Sequence, residues 1–220
     1  MSRDFRVYEV GPRDGLQSLP HVSSVEQRVR LIRLLSAAGI ENIEAGSFVD
    51  PRRVPTMANT GEVFRCCADV KAQLAALVPN ARGLRDAQSA GVERFNVFFS
   101  ADEDFNRHNL GKTREDAVED YAVMLSNVKK EDVRVYISLA FSSPLDDVAV
   151  AITDAEVLGS TVVLSDTNGD ATPDTIRQVT GLPHGHVALH LHYNANRERM
   201  FDNIAVATAI LSNILSRLAL

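Results

Sequence analysis

The chain has 220 residues, 45% of them hydrophobic and 24% charged, with a formal net charge of -6. That length is ample for a buried core, and that charge excludes a broad nucleic-acid surface, whose affinity comes from clustered Lys and Arg against phosphates. No run approaches the ~18 apolar residues of a membrane span.

The opening "MSRDFRVYEV" enters a strand directly, without the pattern of a cleavable signal. The two cysteines are adjacent, Cys66-Cys67, a spacing that suits neither an internal disulfide nor a zinc site. A reducing, cytoplasmic setting is the expectation.

In chain order, strands are predicted near 5–10, 41–45, 74–78, 93–98, 133–140, 161–165 and 186–191, with helical patterns between them. After the first strand, Gly11-Pro12-Arg13-Asp14-Gly15 predicts a tight loop. Ser23 with Glu26 has the spacing of a capping box, and Val25, Val29, Ile32 and Leu35 then mark one apolar helix face up to Gly39. Gly39, Gly91 and Gly159 each stand between a helical pattern and a β-rich run, as left-handed C-terminal caps do. The charged stretch 100–116 is expected as a long loop, a flap or a solvated face. Thr113 with Asp116 then opens a helix to about Lys130. Cys66 and Cys67 fall in a helix, as core or helix-face thiols.

Strand and helix in alternation predict a parallel sheet, either open and doubly wound or closed into a (β/α)8 barrel. An open dinucleotide sheet usually carries G-x-G-x-x-G after its first strand, and "GPRDGLQ" is not that. Polar residues instead gather around the ends of several strands: Arg13 and Asp14 after the first, Glu44 at the end of the second, Asp166 after the sixth, His190 and His192 at the seventh. Such spread across strand ends favours the TIM barrel. Seven strands are recognised and no eighth, so residues 1–220 are expected to be a single catalytic TIM-barrel domain, incomplete at its C-terminus.

In "HLHYN", His190 and His192 are two apart and face the same way from a strand, while Leu189 and Leu191 face the helices. A carboxylate such as Asp14 would complete a mixed N/O site suited to Mg, Mn, Zn or Fe(II). An H-x-H pair is often incidental, Asp14 could be a turn or cap residue, and Arg13 a surface charge. Their common place at strand C-terminal ends weighs against that. His21, His108, His184 and His186 have no partners by spacing, and Arg52, Arg53, Arg197 and Arg199 are expected on a solvated surface.

The motifs "VYEVGPRDGLQ", "IEAGSFVDPRRVPTMANTGEV", "VPNARGLRDAQSAGV", "LSDTNGDATP" and "ALHLH" closely resemble the 3-hydroxy-3-methylglutaryl-CoA lyase family of metal-dependent TIM-barrel lyases, from about Phe5 to about Val206. The resemblance implies a divalent cation, Mg or Mn, held by Asp14, His190 and His192, with a fourth ligand from an asparagine after the eighth strand. It implies that Arg13 stabilises enolate charge, that Glu44, Glu9, Gln17 and Asp166 shape the site, and that Ser47 lies beside it. Asp14, His190, Glu44 and Asp166 join Arg13 as catalytic candidates; Arg13, Gln17 and Ser47 are those for binding an acyl-CoA. The reaction implied is cleavage of hydroxymethylglutaryl-CoA, or a related 3-hydroxy-3-alkylglutaryl-CoA, to acetyl-CoA and a 3-oxo acid such as acetoacetate.

Two features depart from the pattern. The family's fourth ligand and its Gly-rich cysteine loop are absent, and Tyr193-Asn194 replaces the Asp-Thr pair that many members carry after H-x-H. The alternatives are a Claisen-type condensing enzyme, which the Gly-Pro lead before Arg13 disfavours, and an inactive truncated barrel. An unpaired sheet edge would also favour self-association as a homodimer.

Overall fold

In a computed structural model, backbone is described for residues 6–192 and 197–218, and side chains for 6–192 and 198–211. The chain forms two compact units, one spanning Arg6–Val97 and the other containing Phe98 onward.

The first unit contains β1 (Tyr8–Glu9), α1 (Val25–Ala37), β2 (Asn42–Ser47), α2 (Thr60–Cys66), β3 (Gln73–Leu77), α3 (Ala81–Ser89) and most of β4 (Arg94–Ser100). The second holds α4 (Glu103–Leu110), α5 (Arg114–Met124), β5 (Val133–Ser138), α6 (Leu145–Leu158), β6 (Thr161–Asp166), α7 (Pro173–Thr180), β7 (Val187–Leu191) and α8 (Arg197–Leu218). All seven predicted strands are present. Hydrogen-bonded neighbours follow chain order from β1 to β7, and the pairings β1–β2, β2–β3, β3–β4, β5–β6 and β6–β7 are all parallel. Parallel strands covered by crossover helices are buried on both faces, hence the apolar runs: Ile43, Ala75, Val97, Val135, Ile137 and Leu164 are at most 1% exposed.

Several local expectations shift. The first strand is only two residues long, because Gly11–Gly15 coils into a single π-helical turn with Pro12 in its opening positions. The capping box of α1 belongs to Ser24 and Gln27, one residue later than the Ser23 and Glu26 spacing suggested. With two serines in tandem, the second has the extended backbone that the cap requires. The Thr113 and Asp116 box opens α5 as expected, but the helix ends at Met124 rather than near Lys130.

The stretch 100–116 is largely helix rather than loop. The Asp102 carboxylate accepts from the Phe105 amide at 2.7 Å to start α4, and Gly111, at φ 72°, stops it. Gly39 (φ 90°) and Gly91 (φ 84°) have the expected left-handed conformation. Gly159 does not, at φ -139°. Glycine is needed there for close approach: a Cβ would lie 2.8 Å from the Val133 carbonyl oxygen. Among the described residues no helix is long and apolar enough to cross a membrane.

Candidate functional site

The turn at Gly11–Gly15 is what turns Arg13 inward. The Glu9 carboxylate accepts from the Gly11 amide at 2.6 Å, and the Val10 carbonyl accepts from the Arg13 and Asp14 amides at 3.0 and 2.7 Å. The backbone is thereby tied on both sides of Pro12, and Arg13 is buried at 8% exposure. Its Nε donates to Glu44 Oε2 and its Nη1 to Asp14 Oδ1, both at 2.7 Å.

Glu44, on β2, is fully buried. Its second oxygen accepts from Asn96 Nδ2 at 2.7 Å, and the same amide donates to the Tyr8 hydroxyl at 3.2 Å. A buried carboxylate is tolerated only when paired and hydrogen-bonded, and here each oxygen has a donor. The guanidinium is thus held by two carboxylates.

Asn96 and Tyr8 are absent from the sequence-derived site. The signal for Asn96 was a single amide inside the apolar run "RFNVFFS": a polar side chain in a buried strand requires a partner. The other candidates of this unit are placed less tightly. Ser47 is buried with its hydroxyl donating to the Leu77 carbonyl at 3.4 Å. Gln17 keeps a buried Oε1 with no hydrogen-bond partner among the described residues, while its backbone carbonyl accepts from Thr56.

In the second unit, β6 and β7 run side by side with Ser165 opposite His190 and Asp166 opposite Leu191. The two imidazoles point at one another, His190 Nε2 lying 2.7 Å from His192 Nε2. His192 Nδ1 is 3.0 Å from the Thr167 carbonyl oxygen, which can only accept. That contact puts the His192 proton on Nδ1 and leaves the Nε2 lone pair facing His190. Tyr136 stands edge-on to His190 at 5.9 Å.

Asp166 is buried at 1% exposure; Oδ1 accepts from the Ala171 amide at 3.0 Å, and Oδ2 has no partner among the described residues. The strand pairing brings His190 and His192 together, whereas no hydrogen bond links Asp166 to either among the described residues. Two imidazole nitrogens converging on one point, one tautomer fixed by a backbone carbonyl, fit the donor set of a divalent cation.

The weaker sequence candidates stay outside this arrangement. Cys66 is exposed and Cys67 buried, both free, and burial pushes the Cys67 thiol up. Arg52 pairs with Asp50 on the surface, Arg199 donates to the Gly169 carbonyl, and His184 rests on the Thr180 and Gly185 carbonyls. Residues 193–196, where the sequence departs from Asp-Thr, lie outside the described residues.

Parallel strands with polar side chains gathered at their C-terminal ends define an α/β enzyme of the barrel class. The chain belongs to the HMGL-like family, whose model matches residues 4–197. It is 35% identical over 210 residues to a Pseudomonas aeruginosa protein named 3-hydroxy-3-isohexenylglutaryl-CoA/hydroxy-methylglutaryl-CoA lyase, covering 87% of this chain and 69% of the relative. It is 32% identical to a Chloroflexus aurantiacus (R)-citramalyl-CoA lyase, covering 86% and 68%. The crystal structure of Bacillus subtilis HMG-CoA lyase superposes with a TM-score of 0.83 at 30% identity, covering 95% of this chain and 74% of that one.

Proposed function

We propose that the two units act as one catalytic domain that cleaves a carbon–carbon bond in a 3-hydroxyacyl-CoA, hydroxymethylglutaryl-CoA being the first substrate to test. The observation that carries this reading is the buried Arg13 held between Asp14 and Glu44. Breaking this bond removes the hydroxyl proton, turns the carbinol carbon into a ketone and leaves acetyl-CoA as its enolate, which must then take up a proton. The developing enolate oxygen needs fixed positive charge in a site that excludes water. Arg13 supplies it: a guanidinium stays protonated and offers parallel donors from a rigid plane, and Glu44 with Asn96 fixes where those donors point.

The cation, Mg or Mn by the family pattern, would be held by Asp14, His190 and His192. When bound it supplies Lewis acidity toward the substrate's hydroxyl and carbonyl oxygens. Asp166 keeps one buried carboxylate oxygen unpartnered among the described residues, which is capacity to accept a proton or a substrate hydroxyl. Gln17, with its own unpartnered oxygen, is a site for a substrate donor. Similarity to both an alkylglutaryl-CoA lyase and a citramalyl-CoA lyase supports a short branched 3-hydroxyacyl thioester as the substrate class.

The test is release of a 3-oxo acid from hydroxymethylglutaryl-CoA by the purified chain with Mg or Mn, with citramalyl-CoA in parallel and Asp14→Ala as control. Metal-dependent turnover that the control loses is the expected result. A soluble, folded chain that turns over neither thioester contradicts the proposal.

A further inference from the structure

Arg28 is a charged side chain that the proposed chemistry does not use. It lies on α1 at 1% exposure, one turn before buried Ile32. Burial pushes its pKa down. No carboxylate is hydrogen-bonded to it among the described residues: Nη1 donates to the Ala58 carbonyl at 2.8 Å, Nη2 to the Thr60 hydroxyl at 3.0 Å, and Nε is buried without a partner. The Thr60 hydroxyl in turn donates to the Met57 carbonyl at 2.7 Å, so a lone pair is left for Arg28. Taking a cation out of water without an opposite charge to pair with it is strongly unfavourable. For stability alone an apolar side chain would serve better.

What the guanidinium touches suggests its use. Gly46 of β2 faces it: a Cβ there would lie 2.7 Å from Arg28 Nη2 and 2.7 Å from Thr60 Cγ2. At this point β2 carries a bulge, for Glu44 pairs with Ala75 and Gly46 with Ala76, leaving Ala45 as the extra residue. Glu44 and Ser47 are three apart and in a regular strand would face opposite ways. The extra residue puts them opposite Ala75 and Leu77, which share a face of β3. Gly46 points the other way, onto Arg28. A bulge re-aims side chains but weakens the local ladder, and here Arg28 presses on its back.

We propose that Arg28 is a positioning residue for the Arg13–Glu44 pair, acting through the bulge of β2 at Gly46. The inference builds on the catalytic role given to Arg13 above. Replacing Arg28 by methionine keeps a long side chain and removes the buried charge. Glu44 then loses its fixed direction, and Arg13 with it.

The experiment is Arg28→Met and Arg28→Lys in the full chain, measured by the Arg13 Nε–H resonance, by kcat and KM, and by thermal stability. In Arg28→Met the Arg13 resonance is expected to move and kcat to fall by about 10- to 100-fold, the scale of a misplaced catalytic group, with KM unchanged. Arg28→Lys, which still reaches the Ala58 carbonyl with a charge, should recover part of both. A folded Arg28→Met chain with an unmoved Arg13 resonance overturns the proposal. If that variant does not fold, Thr60→Val removes the Nη2 acceptor while keeping its shape; it must move the same resonance, and an unmoved one overturns the proposal. Lack of turnover in the wild-type chain would count against the proposed function, while the resonance still decides the positioning role.

Discussion

Arg13 is buried between two carboxylates, each within 2.7 Å, and Glu44 behind it is fully enclosed with both oxygens bonded. His190 and His192 belong to the other unit, and all five residues of β7 are only half-buried. On the proposed function, the difference follows from what each side chain would handle. A guanidinium that only stabilises charge works best fixed in advance, because a preorganised donor needs no rearrangement during the reaction. Imidazoles that receive a cation must stay reachable. The Arg13 cluster is built like a core, the β7 histidines like a socket.

This contrast is sharpened most by Arg13→Lys. A lysine keeps the charge but not the planar fork, so metal binding should persist while kcat falls by about 10²–10³-fold, as when one preorganised donor is removed. Unchanged turnover would remove Arg13 from the chemistry.

A smaller effect is expected behind it. Asn96→Ala leaves Glu44 Oε1 buried without its donor, which costs about 1–3 kcal/mol, or roughly 2–12 °C in melting temperature for a chain of this size. An equal melting temperature would show that the network is not taut. Smallest is the surface pair: the Arg52 guanidinium holds the Asp50 carboxyl down to about 2. A depressed carboxyl pKa adds stability above the unfolded value of about 3.9, and that is lost as pH falls toward 2. Arg52→Ala should raise the Asp50 midpoint, followed by NMR, toward the ordinary range, the amide of residue 52 still donating to it, while leaving turnover at neutral pH intact. Exposed pairs of this kind add little to the fold.

Strands β2, β4 and β6 were legible because a β-rich run begins just after a glycine that closes a helical pattern, and the places of Arg13, Asp14, His190 and His192 because they stand at or just after the ends of strands. Arg28 was not, since an arginine in a helix that also carries Arg30 and Arg33 gives no sign of being buried until its guanidinium is set against Gly46 and Thr60. Asn96 lacked a motif of its own. The Thr167 contact to His192 comes from a backbone carbonyl, on which the side-chain pattern is silent. Gly159 was recognised as glycine for the wrong reason, because a left-handed turn and a close approach to another strand ask for the same residue. The bulge at Ala45 is also invisible in one strand's sequence, being a relation between two.

The measurement that tests the central claim most directly is a Mn titration of the wild-type chain and of Asp14→Ala and His192→Ala, read by calorimetry. Stoichiometric binding by the wild type is expected, weakened in each variant by more than the roughly 10- to 100-fold that even an outer partner of a metal ligand costs. Wild-type affinity in either variant would contradict a cation held jointly by Asp14 and the β7 histidines.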